Sequence, residues 1–292
     1  MTDYPSISVV IPSYNQGQFI GETIQSVIDQ QYPNLEILVL DGGSTDNTVE
    51  VIEQYIDRLT YWHSKKDKGQ ADAINQGMRL SSGEIVCWLN SDDMYLPGTL
   101  LEIGQRFRGL TDQNYVIYGD TQFLYEERRP RGARKVQYAA PYDPLMLAYY
   151  DYIAQPSAFW TRKLWEETGE LDLRYHYVLD WEWFLRAGKI AQFEYVPKLY
   201  SIYRIHTSHK SSSGGIRRKQ EVLDVVKTYA SEYWIDLYQE VDRCYPTFKP
   251  WLKRLRKLGI PHQEWLLSQF VPALRSKLQH VQDLSKVLAM YA

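Results

Sequence analysis

The chain begins with alternating apolar patterns. Ile7 to Ile11 (ISVVI) is a short β-branched run that predicts a buried strand, and Phe19, Ile20, Thr23, Ile24, Val27 and Ile28 then recur at helical spacing. Leu35 to Leu40 (LEILVL) repeats the strand signal. Val49, Ile52 and Ile56 repeat the helix signal, with a start expected near Ser44 or Thr45, both good N-caps. Leu59 to His63, Ala71 to Leu80 and Ile85 to Leu89 continue as strand, helix and strand. Such repetition with short connections predicts a mostly parallel sheet covered on both faces. After Tyr115 the pattern loosens: VIYGD and TQFLYE predict paired strands, and RRPRGARK a basic loop. SAFW, FEYVP and YSIYRIH predict short strands around a helix carrying LDWEWFLR. SSSGG (Ser211 to Gly215) reads as a linker, followed by helix, with Leu267, Phe270, Val271, Leu274, Leu278 and Val281 suiting one amphipathic face.

In open sheets of this kind, ligands bind outside the carboxyl ends of the strands. The polar clusters PSYN (Pro12 to Asn15), DGGSTD (Asp41 to Asp46) and NSDD (Asn90 to Asp93) each follow directly on a predicted strand, so all three are expected on one edge. If extended geometry persists past Leu89, Asn90 and Asp92 point together and Asp93 points away. A carboxylate there suits Mg²⁺ or Mn²⁺, which take oxygen ligands and combine one or two carboxylates with substrate phosphates. Capping of the next helix explains SDD, seen alone, about as well. DGGSTDNT is neither GxGxxG nor GxxxxGK[ST], and a plain strand-to-helix turn explains it nearly as well as an anion site.

Composition narrows the classes. The 292 residues allow a large α/β domain with an appendage, and the net charge of -3 gives no overall electrostatic footprint for nucleic acid. Cys87 lies in an apolar strand far from Cys244, which predicts a buried thiol and a reducing, cytoplasmic setting. No segment reaches the roughly 18 apolar residues of a membrane span.

Taken together, ISVVIPSYNQGQFIGETIQSVIDQQYPNLEILVLDGGSTDNT, DKGQADAINQGM and GEIVCWLNSDDMYLPG resemble the nucleotide-sugar-binding half of glycosyltransferase family 2, which has the α/β GT-A fold. The resemblance covers Ser6 to about Gly98 with high specificity and continues more weakly to about Ser213. It implies a catalytic domain over 1–213, with a donor half (1–110) and an acceptor half (111–213), followed by a helical extension over 214–292. By resemblance, Pro12, Tyr14 and Asn15 line the nucleoside pocket, Asp41 contacts the base, and Gly42, Lys68, Asp72 and Ser91 lie near the donor. Asp92 holds a divalent cation, Mn²⁺ or Mg²⁺, that bridges the diphosphate, and Asn90 lies near the ribose and metal. The family commonly has Asp where this chain has Asn90, which removes one negative charge. LDWEWFLR resembles the segment whose central acid deprotonates the acceptor. Asp180 takes that place, preceded by Leu179 instead of the usual Glu, and Glu182 is its rival. YRIHTSHKSSS resembles the closing segment, whose histidine approaches the metal; His206 is the candidate and His209 the alternative. QPSAFW resembles the acceptor side, with Gln155 as a contact and Trp160 and Trp181 as sugar-stacking candidates, although aromatics in such runs are more often core.

The implied activity is inverting transfer of a sugar from a nucleotide diphosphate, a UDP-sugar before others, to a hydroxyl of a sugar or lipid-linked acceptor, in cell-surface polysaccharide or glycoconjugate assembly. A processive synthase of the family would bring transmembrane helices and QxxRW, and this sequence has neither. The alternative is a nucleotide-sugar-binding protein that has lost catalysis, motivated by Asn90 and Leu179. Arg243 to Lys257 (RCYPTFKPWLKRLRK) carries six basic and no acidic residues with apolar residues interleaved, which suits either an anionic membrane surface, at the inner face of the plasma membrane, or a packed helix with a solvated basic face. The helices beyond it are candidates for self-association.

Overall fold

The computed structural model describes residues 4–127, 133–207, 210, 214–257 and 276–290. His209, most of SSSGG, residues 128–132 of the basic loop, and Leu267, Phe270, Val271 and Leu274 of the expected tail helix lie outside the described residues.

Strands β1 (Ile7–Ser13), β2 (Leu35–Asp41), β3 (Tyr61–Ser64) and β4 (Ile85–Trp88) run parallel in the spatial order β3-β2-β1-β4. Ser13 pairs with Asp41, so β1 and β2 end level and the two polar clusters leave the sheet side by side. The sheet then becomes mixed. β8 (Ala158–Thr161) runs antiparallel between β4 and β6 (Tyr115–Tyr125), and β9 (Gln192–Ile205) lies parallel to β6. β5 (Met94–Tyr95) and β7 (Ala133–Gln137) add antiparallel pairings to β9 and β6.

Two expectations in this half are corrected. VIYGD and TQFLYE form one continuous strand, because Gly119 serves a close approach and makes no turn: a Cβ there would lie 2.6 Å from the Lys198 carbonyl oxygen. FEYVP and YSIYRIH are likewise one strand. Register shifts around Asp120 leave Pro197 and Lys198 opposite no residue of β6, and a bulge is a place where a strand tolerates proline.

Both faces of the parallel half are covered, as alternation along the strands requires. Ile7, Val9 and Ile11 pack with Ile20, Ile24 and Val27 of α1 (Ile20–Ile28) and with Leu100 and Ile103 of α4 (Thr99–Arg106). Burying each such side chain stabilises the fold by about 1.5–3 kcal/mol. On the other face α3 (Gln70–Leu80) sits close to the sheet at Gly77, where a Cβ would lie 2.4 Å from Val10 Cγ1 and 2.8 Å from Leu40 Cδ2. Helix α2 (Thr48–Glu53) starts later than expected, because Ser44 and Thr45 are engaged in the preceding loop and Asp46 accepts from the Thr48 amide at 3.0 Å. Cys87 is fully buried, and burial pushes its thiol up to about 12.

The chain divides into two compact units, Met1–Tyr142 with Tyr152–Ser213, and Asp143–Asp151 with Gly214–Ala292. The first contains the sheet, α6 (Arg162–Thr168) and α7 (Leu179–Ala187). The second contains α5 (Pro144–Leu147), α8 (Gly215–Tyr229), α9 (Glu232–Lys257) and α10 (Val281–Met290). In it Tyr149 stacks on Trp234 with centroids 3.5 Å apart, and the Tyr238 hydroxyl donates to the Tyr149 carbonyl at 2.6 Å. Within α9, Phe248 and Leu252 are buried while Trp251 is 61% exposed beside exposed Lys249 and Arg254. No helix among the described residues is long and apolar enough to cross a membrane.

Candidate active site

The first two polar clusters interlock at the ends of β1 and β2. Asn15, held at φ 51°, donates its backbone N–H to Ser44 Oγ at 2.7 Å and accepts the Thr45 amide on Oδ1 at 2.8 Å. Asp41 accepts from the Gly43 and Ser44 amides, the Ser44 hydroxyl and, at 2.6 Å, the Ser64 hydroxyl. It has no exposed surface. Its carboxylate shapes the DGGS loop. Pro12 is also buried, inside β1, whereas Tyr14 stands 60% exposed at the rim. Gly42 lies against Asp67, which a Cβ would meet at 2.8 Å.

The loop after β3 is fixed from α3. Asp72, in the first turn, accepts the Lys68 amide at 3.0 Å and the Gln76 side-chain amide at 3.0 Å, and Lys68 itself is exposed. Gln70 reaches across to Asn90, donating to Oδ1 at 2.7 Å.

Regular strand geometry stops at Trp88, so the extension that would aim Asn90 and Asp92 together does not persist. A turn replaces it, closed by the Asp93 amide on the Asn90 carbonyl at 3.0 Å. Ser91 and Asp93 turn inward, and Asp92 stays partly exposed. Asp93 accepts the Arg204 amide at 3.0 Å and faces Asn90 Nδ2 at 3.3 Å; burial, and then the adjacent Asp92 charge, hold its carboxyl well above the usual range.

Asp92 Oδ2 lies 3.1 Å from His206 Nε2, 114 positions away in the chain. Phe19 packs on the His206 ring, with centroids 4.4 Å apart. Arg204 Nε donates to the Asp92 carbonyl at 3.0 Å, while its guanidinium pairs with Glu22 and Glu126 and lies over the Phe19 ring. Thr23 Oγ1 donates to the Asp93 carbonyl at 2.8 Å. Glu22, Thr23 and Glu126 did not stand out in the sequence. Thr23 left a signal in a hydroxyl residue at a buried helical position, whereas Glu22 and Glu126 left none.

Asp180 lies in the first turn of α7, partly exposed, and accepts the Trp181 amide at 2.9 Å; Val178 is the N-cap, so Asp180 is not a cap. Glu182 is buried and paired with Arg186 Nε at 2.9 and 3.1 Å. Two links tie the lead-in to α7 to this edge of the sheet. Asn75 exchanges two hydrogen bonds with the Leu171 backbone, and Lys210 lies 5.8 Å over the Tyr177 ring while donating to Gln70 Oε1 at 2.5 Å.

The acceptor-side expectations are corrected by burial. Trp160 and Trp181 are both 0% exposed, and Trp160 packs edge-on to Trp88 at 5.1 Å and against Trp183 at 4.8 Å, so neither offers a face to a sugar. Gln155 is buried as well and donates to the Trp88 carbonyl at 2.7 Å.

No group of three or more His, Cys, Asp or Glu side chains among the described residues is placed to hold a metal ion. The Asp92–His206 pair supplies one oxygen and one nitrogen, a donor set that fits a divalent ion completed by phosphate oxygens better than a closed protein cage.

Comparisons with known proteins bear on this geometry. An uncharacterised glycosyltransferase of Rickettsia felis is 34% identical over 125 residues, 42% of this chain, and that stretch spans only 21% of the relative's own length. S. aureus TarS 1-349, solved in complex with UDP-GlcNAc, superposes with a TM-score of 0.63 at 17% identity, over 98% of this chain and 91% of that one. The mannosyltransferase PcManGT of Pyrobaculum calidifontis, solved with GDP-Man and Mn²⁺, gives 0.56 at 19% identity, over 99% and 75%. These likenesses show a shared glycosyltransferase fold. Residues 8–160, from β1 through Trp160 of β8, match the family model described as Glycosyl transferase family 2. The chain belongs to glycosyl transferase family 2.

Proposed function

We propose that this glycosyltransferase transfers a sugar, one per encounter and with inversion, from a nucleotide diphosphate to an acceptor hydroxyl. The observation that carries the reading is the meeting of Asp92, in the turn after β4, with His206, just past the end of β9. Asp92 and His206 would hold a divalent cation, which, when bound, offsets charge on the diphosphate. Tyr14, Asn15 and the DGGS loop border the nucleoside, with Asp41 setting the shape of that loop. Asp72 and Gln70 fix the near wall. Asp180 accepts the acceptor's proton as its oxygen attacks the anomeric carbon. A base on the side away from the departing diphosphate gives inversion. The commitment of Glu182 to Arg186 supports Asp180 as that base.

UDP-GlcNAc in TarS and GDP-Man with Mn²⁺ in PcManGT motivate a UDP-sugar first and a GDP-sugar second. We infer further that a lipid-linked acceptor brings the protein to an anionic membrane surface through 243–257, supported by exposed Trp251 between Lys249 and Arg254. A thermal-shift panel of nucleotide sugars with and without Mn²⁺, followed by donor turnover on the stabilising sugar, tests the function. Mn²⁺-dependent stabilisation with turnover is expected. Stabilisation with no turnover would instead indicate a binding protein that has lost catalysis.

A further inference from the structure

Burial of Trp160, Trp181 and Gln155 leaves the acceptor side without the contacts that resemblance implies, and the sheet itself offers others. Trp160 packs against Trp183 and Phe184 of α7, and Val116, its partner on β6, shares that face with Tyr118 two residues on. Tyr195 of β9 lies level with Tyr118, with ring centroids 5.6 Å apart, and its hydroxyl donates to Asp120 Oδ1 at 2.9 Å. Asp120 is therefore on the α7 face. It is 4% exposed, and the same oxygen takes the Ala139 amide at 2.8 Å. Tyr118 donates to the Ala140 carbonyl at 2.6 Å, and Tyr142 stacks on Phe193 at 4.2 Å. The chain after β7 is thus pinned at Ala139, Ala140 and Tyr142, yet Tyr138, just before the first of these, is 75% exposed. An exposed aromatic ring on a fixed backbone suits stacking, because little freedom is left to lose on binding.

Lys135 stands on the same face. Arg204 of β9 turns to α1, where it pairs with Glu22, so its neighbour Tyr203 turns the other way, and Phe123 and Lys135, level with it on β6 and β7, follow. The Phe123 and Tyr203 ring centroids lie 5.5 Å apart. Lys135 is exposed and has no ion pair among the described residues. Register gives its place relative to the corner: Ala133, Tyr125 and Ile205 stand level on β7, β6 and β9, and His206 comes next. At about 4.8 Å between strands, the start of β7 lies about 10 Å from the strand end that carries His206. From there β7 runs back towards the level of Asp120, on the face that also carries α7 with Asp180 in its first turn. We propose that Tyr138 and Lys135 form a subsite for a part of the acceptor beyond the sugar that is attacked: Tyr138 stacks on an acceptor ring, and Lys135 pairs with an anionic group, carboxylate or phosphate, that the acceptor carries. This rests on the proposed transfer reaction.

Four full-length proteins test it: wild type, Tyr138→Ala, Tyr138→Phe and Lys135→Gln. Each is titrated by calorimetry with oligogalacturonate, with a phosphorylated malto-oligosaccharide and with its unphosphorylated parent, and separately with UDP and Mn²⁺; melting temperatures report folding. Wild type is expected to bind one of the anionic glycans more tightly than the neutral one, and which of the two is tighter tells carboxylate from phosphate. Y138A should weaken that binding about tenfold, the loss of one well-placed aromatic contact, and Y138F should keep it. K135Q should weaken the anionic glycan alone, by up to about fivefold, and make its binding less sensitive to salt. Binding of UDP with Mn²⁺ stays the same in all four. No preference for an anionic glycan in wild type overturns the inference. So does wild-type glycan binding by Y138A, or a Y138F protein as weak as Y138A, because the ring face would then not be the contact. If wild type binds no nucleotide with Mn²⁺, the transfer reading falls, whereas intact nucleotide binding with no glycan binding removes the subsite alone.

Discussion

Asp180 and Glu182 sit two residues apart in α7, and their surroundings separate them: Glu182 is buried against Arg186, while Asp180 is partly open. Asp180→Asn is expected to lower kcat by about 10² to 10⁴-fold, the range of a general base, with donor affinity kept. Glu182→Gln should leave kcat near wild type and lower the melting temperature. Steady-state turnover and calorimetric titration with the donor read the two effects separately, and normal turnover in D180N would remove that residue from the mechanism. Asp92 and His206 each lie in a segment that the sequence singled out, and the fold adds that the two side chains meet. Trp160 and Trp181 were misleading, since an aromatic side chain serves a core and a sugar platform equally well and only packing tells them apart. Asp41 shows a similar limit, for nothing in DGGSTD reveals that four donors from the loop and from Ser64 occupy its carboxylate.

The elements of the parallel half followed from apolar period and turn residues. Where the structure departs, one strand leans on another in a way that local pattern does not carry. Gly119 and Pro197 read as breaks, yet they flank a bulge that keeps β6 and β9 continuous. The same bulge lets β9 run on to Ile205, which delivers Arg204 and His206 to the corner beside Asp92. Gly77 of α3 is another element-scale feature, because the helix lies on β1 and β2 only while that position lacks a Cβ. Gly77→Ala should destabilise the protein by about 1–3 kcal/mol, the usual range for overpacking, with the gain in helix propensity offsetting part of it. Urea unfolding measures this, and an unchanged midpoint would show that Val10 and Leu40 can yield.

On the scale of the whole molecule, the residues just before Tyr152 join the C-terminal helices, so Asp143–Asp151 belongs with a unit whose other members begin at Gly214. Such an exchange of segments leaves no trace in composition. It depends on contacts such as Tyr149 with Trp234 and Tyr238. In α9, the split between buried Phe248 and Leu252 and exposed Trp251 gives the basic stretch an apolar group facing solvent. The full chain is expected to co-sediment with vesicles rich in anionic lipid, less so as salt rises, and Trp251→Ala should weaken that association. Equal sedimentation with neutral vesicles would argue against an electrostatic surface contact. The most direct test of the central claim is calorimetric titration of UDP-sugar into wild type and Asp92→Asn, each with and without Mn²⁺. The account predicts binding that needs Mn²⁺ and weakens roughly a hundredfold or more in D92N, on the scale of several kcal/mol of lost charge stabilisation. Binding of the same strength without Mn²⁺, and unchanged in D92N, would contradict it.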